Sequence, residues 1–348
     1  MNQTLNGIRR ILITILVAMG VGALFIVAIG ENPIDAYAAL FRGAFDGELR
    51  LCTTLAGFTP LLLTSIAFAV AAKAGAFNVG VEGEVFLGGI TAAYIGINWT
   101  FLPKPALYVA CFVGAMVVAA AWAFIPAVLR AYYNVNEVCT TILMNTVALY
   151  ITSYLVSGPM SAGTANAQSL PVTVRLYQFM KPSSVNVGIF IAAITVIVII
   201  FMLQKSSWGY KIRTVGLNPT HADYVGIDSK KVFVGAMMLS GMLGGMAGCI
   251  EVLGVHGYFL NNFATGLGSN GMLAALIVKN NMVSTPFMAF FLAVLKSGAM
   301  GMQQSTGVPK SLVDTITAVF IIIATMETAF QFTKKRKKKT EEKKEDKA

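Results

Sequence analysis

Long runs of apolar residues separated by short polar segments dominate the chain. We identify ten apolar segments by this pattern: 11–29, 51–72, 84–97, 107–129, 137–157, 187–204, 232–253, 268–278, 284–302 and 311–332. A full membrane span needs about 20 such residues, and segments 84–97 and 268–278 are shorter. The pattern predicts an all-α polytopic membrane protein with about ten transmembrane segments, the third and eighth short or broken.

An internal repeat is indicated by the order of these segments. Segments two to five and seven to ten share a long span, a glycine-rich turn, a short span and two further spans. The turns are GVEG at 80–83 and GSNG at 268–271. Because the units are five spans apart, they would have opposite orientations, an inverted repeat of five plus five typical of transporters. Chance similarity between two glycine-rich turns is the alternative.

Composition agrees with a membrane protein. Of 348 residues, 56% are hydrophobic and 12% are charged, against about 25% charged in soluble domains. The net charge of +10 does not indicate nucleic acid, since residues 333–348 alone hold nine Lys/Arg and four Asp/Glu. We therefore divide the chain into a transmembrane domain, 1–332, and a basic, disordered cytoplasmic tail, 333–348.

The distribution of lysine and arginine predicts the orientation. Arg9 and Arg10 precede the first span, and the tail follows the last, so both termini are expected in the cytoplasm. Alternation of spans then places the polar segment 205–231 inside. It places residues 31–50 outside, as one of the outer loops.

The cytoplasmic segment 205–231 contains its own helix signals. Asn218 suits an N-cap, and Pro219 suits the first helical position, where a missing N–H costs nothing. We expect a short helix at 220–225 that ends at Gly226. Such a helix between two spans suits docking to a soluble partner, and an ordinary basic loop is the alternative.

Two groups of polar residues lie within the apolar segments. Glu82 and Glu84 are near the start of the short third segment, where they either cap the helix or take part in gating or coupling. Glu137, Thr141 and Asn145 follow at helical spacings, and this polar stripe either bonds neighbouring helices or lines a pore. The candidates for the translocation path or gating are Asn78, Glu82, Glu137, Thr141, Asn145 and Asn270.

No motif in the sequence supports an enzyme. The four cysteines have no metal or redox spacing, two histidines are too few for a metal site, and no nucleotide-binding P-loop is present. A self-sufficient secondary transporter is the rival of a different class. It would need ion-coupling carboxylates near mid-membrane, whereas Glu82, Glu137 and Glu251 all fall near the ends of segments.

Four blocks together resemble one family. They are KAGAFNVGVEGEVFLGG at 73–89, NEVCTTILMN at 136–145, RTVGLNPTHADYVGID at 213–228 and GSNGMLAALIVKNN at 268–281. They are similar to permease subunits of bacterial ABC importers for branched-chain amino acids, ribose and simple sugars, and within these to the permeases of nucleoside uptake. Glu84 departs from the pattern, where relatives more often have glutamine.

The resemblance implies a transmembrane translocation subunit of an ATP-driven importer in the bacterial cell membrane, with nucleosides as solute and ribose or another simple sugar as the alternative. It implies three partners: a cytoplasmic ATPase that uses the ATP, a second related permease, and an extracellular binding lipoprotein. This chain would bind no cofactor itself. The residues that the resemblance assigns to coupling with the ATPase are Arg213, Gly216, Asn218, Pro219, Ala222 and Gly226.

Overall fold

The computed structural model describes residues 19–28 and 30–306, together with 311, 314, 315 and 318. The described part is helical, with isolated β-bridges and no strand. Its helices are α1 Met19–Ala28, α2 Pro33–Phe45, α3 Gly47–Lys73, α4 Val81–Asn98, α5 Lys104–Tyr133, α6 Glu137–Ser157, α7 Gly188–Lys205, α8 Ser207–Leu217, α9 Pro219–Tyr224, α10 Ser229–Ile250, α11 Leu267–Ile277 and α12 Thr285–Thr306.

The chain divides into two compact units. One is Gly47–Val294, and the other combines the described residues of Met1–Asp46 and Leu295–Ala348. In the smaller unit, Gly43 of α2 lies against the backbone of Gly298 and Gly301 in α12, so the two helices approach closely.

Helix α10 forms the centre of the larger unit and packs against α3, α4 and α5. Its glycines make the close approach possible. Gly241 lies against Ala119 of α5, and Gly248 lies against the backbone of Val85 and Gly89 in α4. A π-helical turn, Glu251–His256, extends α10 at its end.

Among the described residues, six helices are long and apolar enough to cross a membrane: α3, α5, α6, α7, α10 with its π turn, and α12. The bent pair α1 and α2, with 116° between the two helices, would raise the number to seven if it forms one span. The predicted short segments correspond to α4, which has 18 residues and two glutamates in its first turn, and to α11, which has 11 residues. Residues 11–18 of the first segment, nearly all of the tenth segment and the basic tail lie outside the described residues.

Two helices occupy stretches that the sequence interpretation treated as loops. Residues 31–50 contain α2, which begins at the N-cap Asn32 with Pro33 in its first turn. Residues 205–231 contain α8 in addition to the expected short helix, and Ser206 caps α8 by accepting from the N–H of Gly209. Each helix begins at an N-cap side chain, Asn32 for α2 and Ser206 for α8, a signal that hydropathy does not contain.

The irregular segment 158–187 bonds to the chain that follows the π turn. The N–H of Ser169 donates to the carbonyl of Phe259, and the N–H of Val172 donates to that of Gly257, both at 2.9 Å. These bonds satisfy backbone groups that have no partner within a helix.

Candidate functional site

The start of α4 lies beside the middle of two other helices. Asn78, just before α4, bonds to Ser240 near the middle of α10. Gly83 in the first turn of α4 bonds to Asn145 near the middle of α6. Glu82 thus begins a helix, as expected, but this helix start is beside the middle of α10 instead of beside its end. The sequence argument that Glu82 is distant from mid-membrane, because it falls near the end of an apolar segment, is therefore not supported by the packing.

Asn78 organises the turn that precedes α4. Its side chain is buried, its Oδ1 accepts from the N–H of Gly80, and its Nδ2 donates to Glu84 Oε1 and to Ser240 Oγ, each at 2.9 Å. Glu84 is buried against Gly244 of α10. Its Oε2 has no hydrogen-bond partner within the described part of the chain. One amide therefore fixes both the entry of α4 and its contact with α10.

Asn145 bonds α6 to the same turn. Its Oδ1 accepts from the N–H of Gly83 at 2.8 Å, and its Nδ2 donates to the carbonyl of Val79 at 2.9 Å. Thr141, one turn earlier, is buried beside Gly80 and donates its hydroxyl to the carbonyl of Glu137 in its own helix. Of the two interpretations of the polar stripe, the contacts of Asn145 match bonding between neighbouring elements.

Glu82 connects the start of α4 to the start of α11. Its Oε1 accepts from the N–H of Gly266 at 3.0 Å, and its Oε2 accepts from the hydroxyl of Ser269 at 3.2 Å. Gly266 precedes α11 with a φ of +80°, a conformation that favours glycine. Asn270 donates its side-chain N–H to the carbonyl of Gly266, and Gly268 lies against the backbone of Glu82. We call this meeting of the two helix starts the α4–α11 junction.

The third side of the junction is α3. Thr64 donates its hydroxyl to the carbonyl of Leu267 at 3.3 Å, and Gly271 packs against Thr64 and Ser65. The junction therefore brings together Asn78, Glu82, Asn145 and Asn270 of the sequence candidates, with Thr141 beside them. The sequence interpretation missed Thr64, Ser240 and Ser269, which have no local signal because their partners are far away in the chain.

The surface of the junction is polar and open. Glu82 is partly exposed, and Asn262, Thr265 and Ser269 are exposed. Non-helical backbone also surrounds them between Gly257 and Gly266. Neither a carboxylate nor irregular backbone is stable against lipid, because their polar groups would have no partner there. In a membrane this surface must face water or another protein.

Glu137 does not belong to the junction. Its Oε2 lies 3.0 Å from Nε of Arg130, across the short turn between α5 and α6. Arg130 also donates from Nη1 to the side chain of Asn134, which has a positive φ of 55° at the end of α5. This contact fixes a helix turn, so the structure places Glu137 in a different environment from the other path candidates.

The expected short helix in 205–231 is confirmed as α9. Asn218 is its N-cap, with Oδ1 accepting from the N–H of His221 at 3.0 Å, and Pro219 is its first residue. Ala222 is buried, and Gly226 follows the helix with a φ of +81°. Arg213, on α8, donates to the carbonyl of Gln204 at 3.3 Å.

Helix α8 is in contact with the end of α3. Gly216 packs so closely on Lys73 that a Cβ would overlap the carbonyl oxygen of Lys73. Gly75, with a φ of +80°, also lies against Gly216. Only residues 76 and 77 separate this contact from Asn78. A short piece of backbone therefore joins the segment that contains α8 and α9 to the junction.

Asp228 caps the beginning of α10 on the other side of α9. Its Oδ1 accepts from the backbone N–H of Lys231 at 3.0 Å. That bond, together with the ammonium of Lys231, lowers the pKa of Asp228. The short helix α9 thus lies between two capped helices.

The fold defines a multi-pass membrane protein, in which two further helices, α4 and α11, meet at the junction. Residues 50–325 match the family described as branched-chain amino acid transport system / permease component. The chain belongs to this family and is a permease component of an ABC transporter.

Individual relatives are similar over almost the whole length. The guanosine ABC transporter permease protein NupP of Bacillus subtilis is 32% identical over 337 residues, which cover 94% of this chain and 96% of the relative. The glucose ABC transporter permease protein TsgB13 of Haloferax volcanii is 32% identical, covering 89% and 85%. The nucleoside ABC transporter permease protein NupB of Lactococcus lactis is 30% identical, covering 92% and 91%.

Proposed function

We propose that this chain is the translocation subunit of an ATP-driven importer of nucleosides. The observation that carries the proposal is its similarity, at 30–32% identity over more than nine tenths of the chain, to a guanosine permease and a nucleoside permease. The glucose permease, at a comparable identity, favours a simple sugar such as ribose as the second candidate. The solutes in the names of these three relatives, guanosine, glucose and nucleosides, are uncharged and carry several hydroxyl groups.

The partners follow from this class of transporter. A cytoplasmic ATPase would use the ATP, a second related permease would complete the membrane domain, and an extracellular binding lipoprotein would deliver the solute. The chain itself would bind no cofactor. We place it in the cell membrane with both termini in the cytoplasm, residues 1–332 in the permease domain and 333–348 as a basic tail.

We further propose the inverted repeat of five plus five segments. The α4–α11 junction supports it, because two helices from the two predicted repeats begin at the same place and contact each other through Glu82 and Gly266. Interrupted helices at matching positions characterise such repeats, with the solute path at their interface. The exposed polar surface of the junction is therefore our candidate for the path.

The segment 205–231 is our candidate for coupling to the ATPase. Arg213, Gly216, Asn218, Pro219, Ala222 and Gly226 would shape or position it. A displacement of α8 and α9 by the ATPase would be transferred through Gly216 to the end of α3 and from there, through residues 73–77, to Asn78. The short connection supports this route, since backbone contacts transfer displacement with little loss.

Affinity purification of the chain from native membranes in mild detergent tests the proposal. We expect an ATPase, a second permease and an extracellular lipoprotein to copurify. The lipoprotein can then be titrated with nucleosides, ribose, glucose and branched-chain amino acids. Tight binding of a nucleoside supports the proposed solute, and binding of only a sugar or an amino acid would replace it. Recovery of the chain alone in several detergents would contradict the proposed assembly.

A further inference from the structure

Glu82 retains hydrogen-bonding capacity toward the exposed side of the α4–α11 junction. Its Oε1 accepts one bond from Gly266, and its Oε2 accepts one longer bond from the hydroxyl of Ser269. A carboxylate has about four acceptor positions, so about two remain. They belong to a side chain that is partly exposed beside the exposed residues Asn262 and Thr265.

The helix starts at the junction are not available to an anion. A helix N-terminus attracts negative charge through its free N–H groups and its dipole. At α11 the chain's own carboxylate, Glu82, already occupies this position. At α4 the side chains of Asn78 and Asn145 accept from the N–H groups of Gly80 and Gly83. In residues 19–306 the side chains that hydrogen-bond at the junction are hydroxyls, amides and carboxylates.

We infer that the junction selects uncharged, hydroxyl-bearing solutes, with Glu82 as a specificity-determining residue. Neighbouring hydroxyl groups of a sugar ring can both donate to one carboxylate, and the partly exposed Glu82 has acceptor positions left for them. Phosphate or carboxylate groups of a solute would instead meet a carboxylate that has no ion-pair partner among the described residues. The inference rests on the proposed function, since it requires that the solute passes the junction. It extends that function by predicting that a nucleoside passes and its 5′-phosphate does not.

Charge selectivity at the junction can be measured without an identified solute. Thr265 is exposed and precedes Gly266, the residue that bonds to Glu82. Thr164 is exposed in the irregular segment 158–187 and serves as the matched control. The complete importer in membrane vesicles would carry Thr265→Cys or Thr164→Cys after the native cysteines Cys52, Cys111, Cys139 and Cys249 are replaced. Each variant is reacted with a trimethylammonium-ethyl or a sulfonatoethyl methanethiosulfonate.

For each cysteine we compare the rate of modification by the cationic reagent with the rate by the anionic one. We expect this rate ratio to be about tenfold higher at position 265 than at position 164, because one charge within several Å acts oppositely on the two reagents. Glu82→Gln should reduce this preference to that of the control, and Glu82→Asp, which keeps the charge, should retain it. A merely structural role of Glu82 would not produce this pattern.

Three results would overturn the inference in distinguishable ways. An equal preference at both positions would show that the junction does not select by charge. A preference that survives Glu82→Gln would assign the selectivity to another group. If neither reagent modifies the cysteine at 265 while the cysteine at 164 reacts, water does not reach the junction, and the proposed path would be overturned with the inference.

Discussion

Replacement of Gly216 by alanine should separate ATP hydrolysis from solute uptake. The added methyl group would overlap the carbonyl oxygen of Lys73 at the end of α3. The neighbour is backbone, so no side-chain rotation can relieve the overlap, and α8 must move away from α3. If this contact transfers the displacement caused by the ATPase, its loss should weaken coupling while the rest of the subunit stays folded.

The magnitude follows from two opposing effects. An extra methyl group in a tightly packed position costs about 1–3 kcal/mol. Glycine to alanine within a helix recovers up to about 1 kcal/mol through helix propensity. The net cost is then about 1 kcal/mol, equivalent to about a fivefold shift in the equilibrium constant between the intact and the broken contact.

The assay is the number of solute molecules transported per ATP hydrolysed by the reconstituted complex. Gly57→Ala is the matched control, since Gly57 lies in α3 with nothing near the position of its Cβ. We expect Gly216→Ala to lower the ratio by up to about fivefold with ATP hydrolysis largely retained. Equal ratios for Gly216→Ala, Gly57→Ala and wild type, at equal expression, would refute the proposed route through α8 and α3.

Three further predictions concern other contacts. Asn218→Ala removes the cap of α9 at a cost of about 1 kcal/mol and should lower the same transport ratio, whereas Asn218→Asp should keep it; equal ratios for both would contradict the role of the cap. Asn145→Ala leaves two backbone groups unpaired, so the free energy of unfolding should fall by about 1–3 kcal/mol and uptake should fall with it. The control is Thr146→Ala, at the exposed neighbouring position, for which neither quantity should fall. Thermal unfolding that is equal in these two variants would disprove the structural role. Glu137→Gln removes the ion pair with Arg130, which should cost at most about 1 kcal/mol of stability and leave uptake nearly unchanged. A complete loss of uptake would make Glu137 a candidate for the solute path again.

Local signals in the sequence were sufficient where an element depends on adjacent residues. Asn218, Pro219 and Gly226 predict the start and end of α9 within one residue, since a cap, an N-terminal proline and a left-handed glycine each act within one turn. The glycines of α10 act in a similarly local way, because small residues permit close helix approach whatever the partner is.

The junction could not be predicted in the same way. The bond from Asn78 to Ser240 spans 162 positions, and the bond from Gly266 to Glu82 spans 184. Neither pair has a spacing that periodicity could detect. Hydropathy indicated two short segments but not that their starts meet each other, which depends on how α3, α6 and α10 pack around them.

ATP-dependent uptake of a labelled nucleoside by proteoliposomes, with the copurified partners present, tests the central claim most directly. We predict uptake that requires ATP, persists when ion gradients are collapsed, and is suppressed by an unlabelled nucleoside but not by its 5′-phosphate or by glucose. Uptake that persists without ATP and stops when the gradients are collapsed would contradict the account and favour a secondary transporter. ATP-dependent uptake of labelled glucose, with none of the labelled nucleoside, would assign the importer to a sugar.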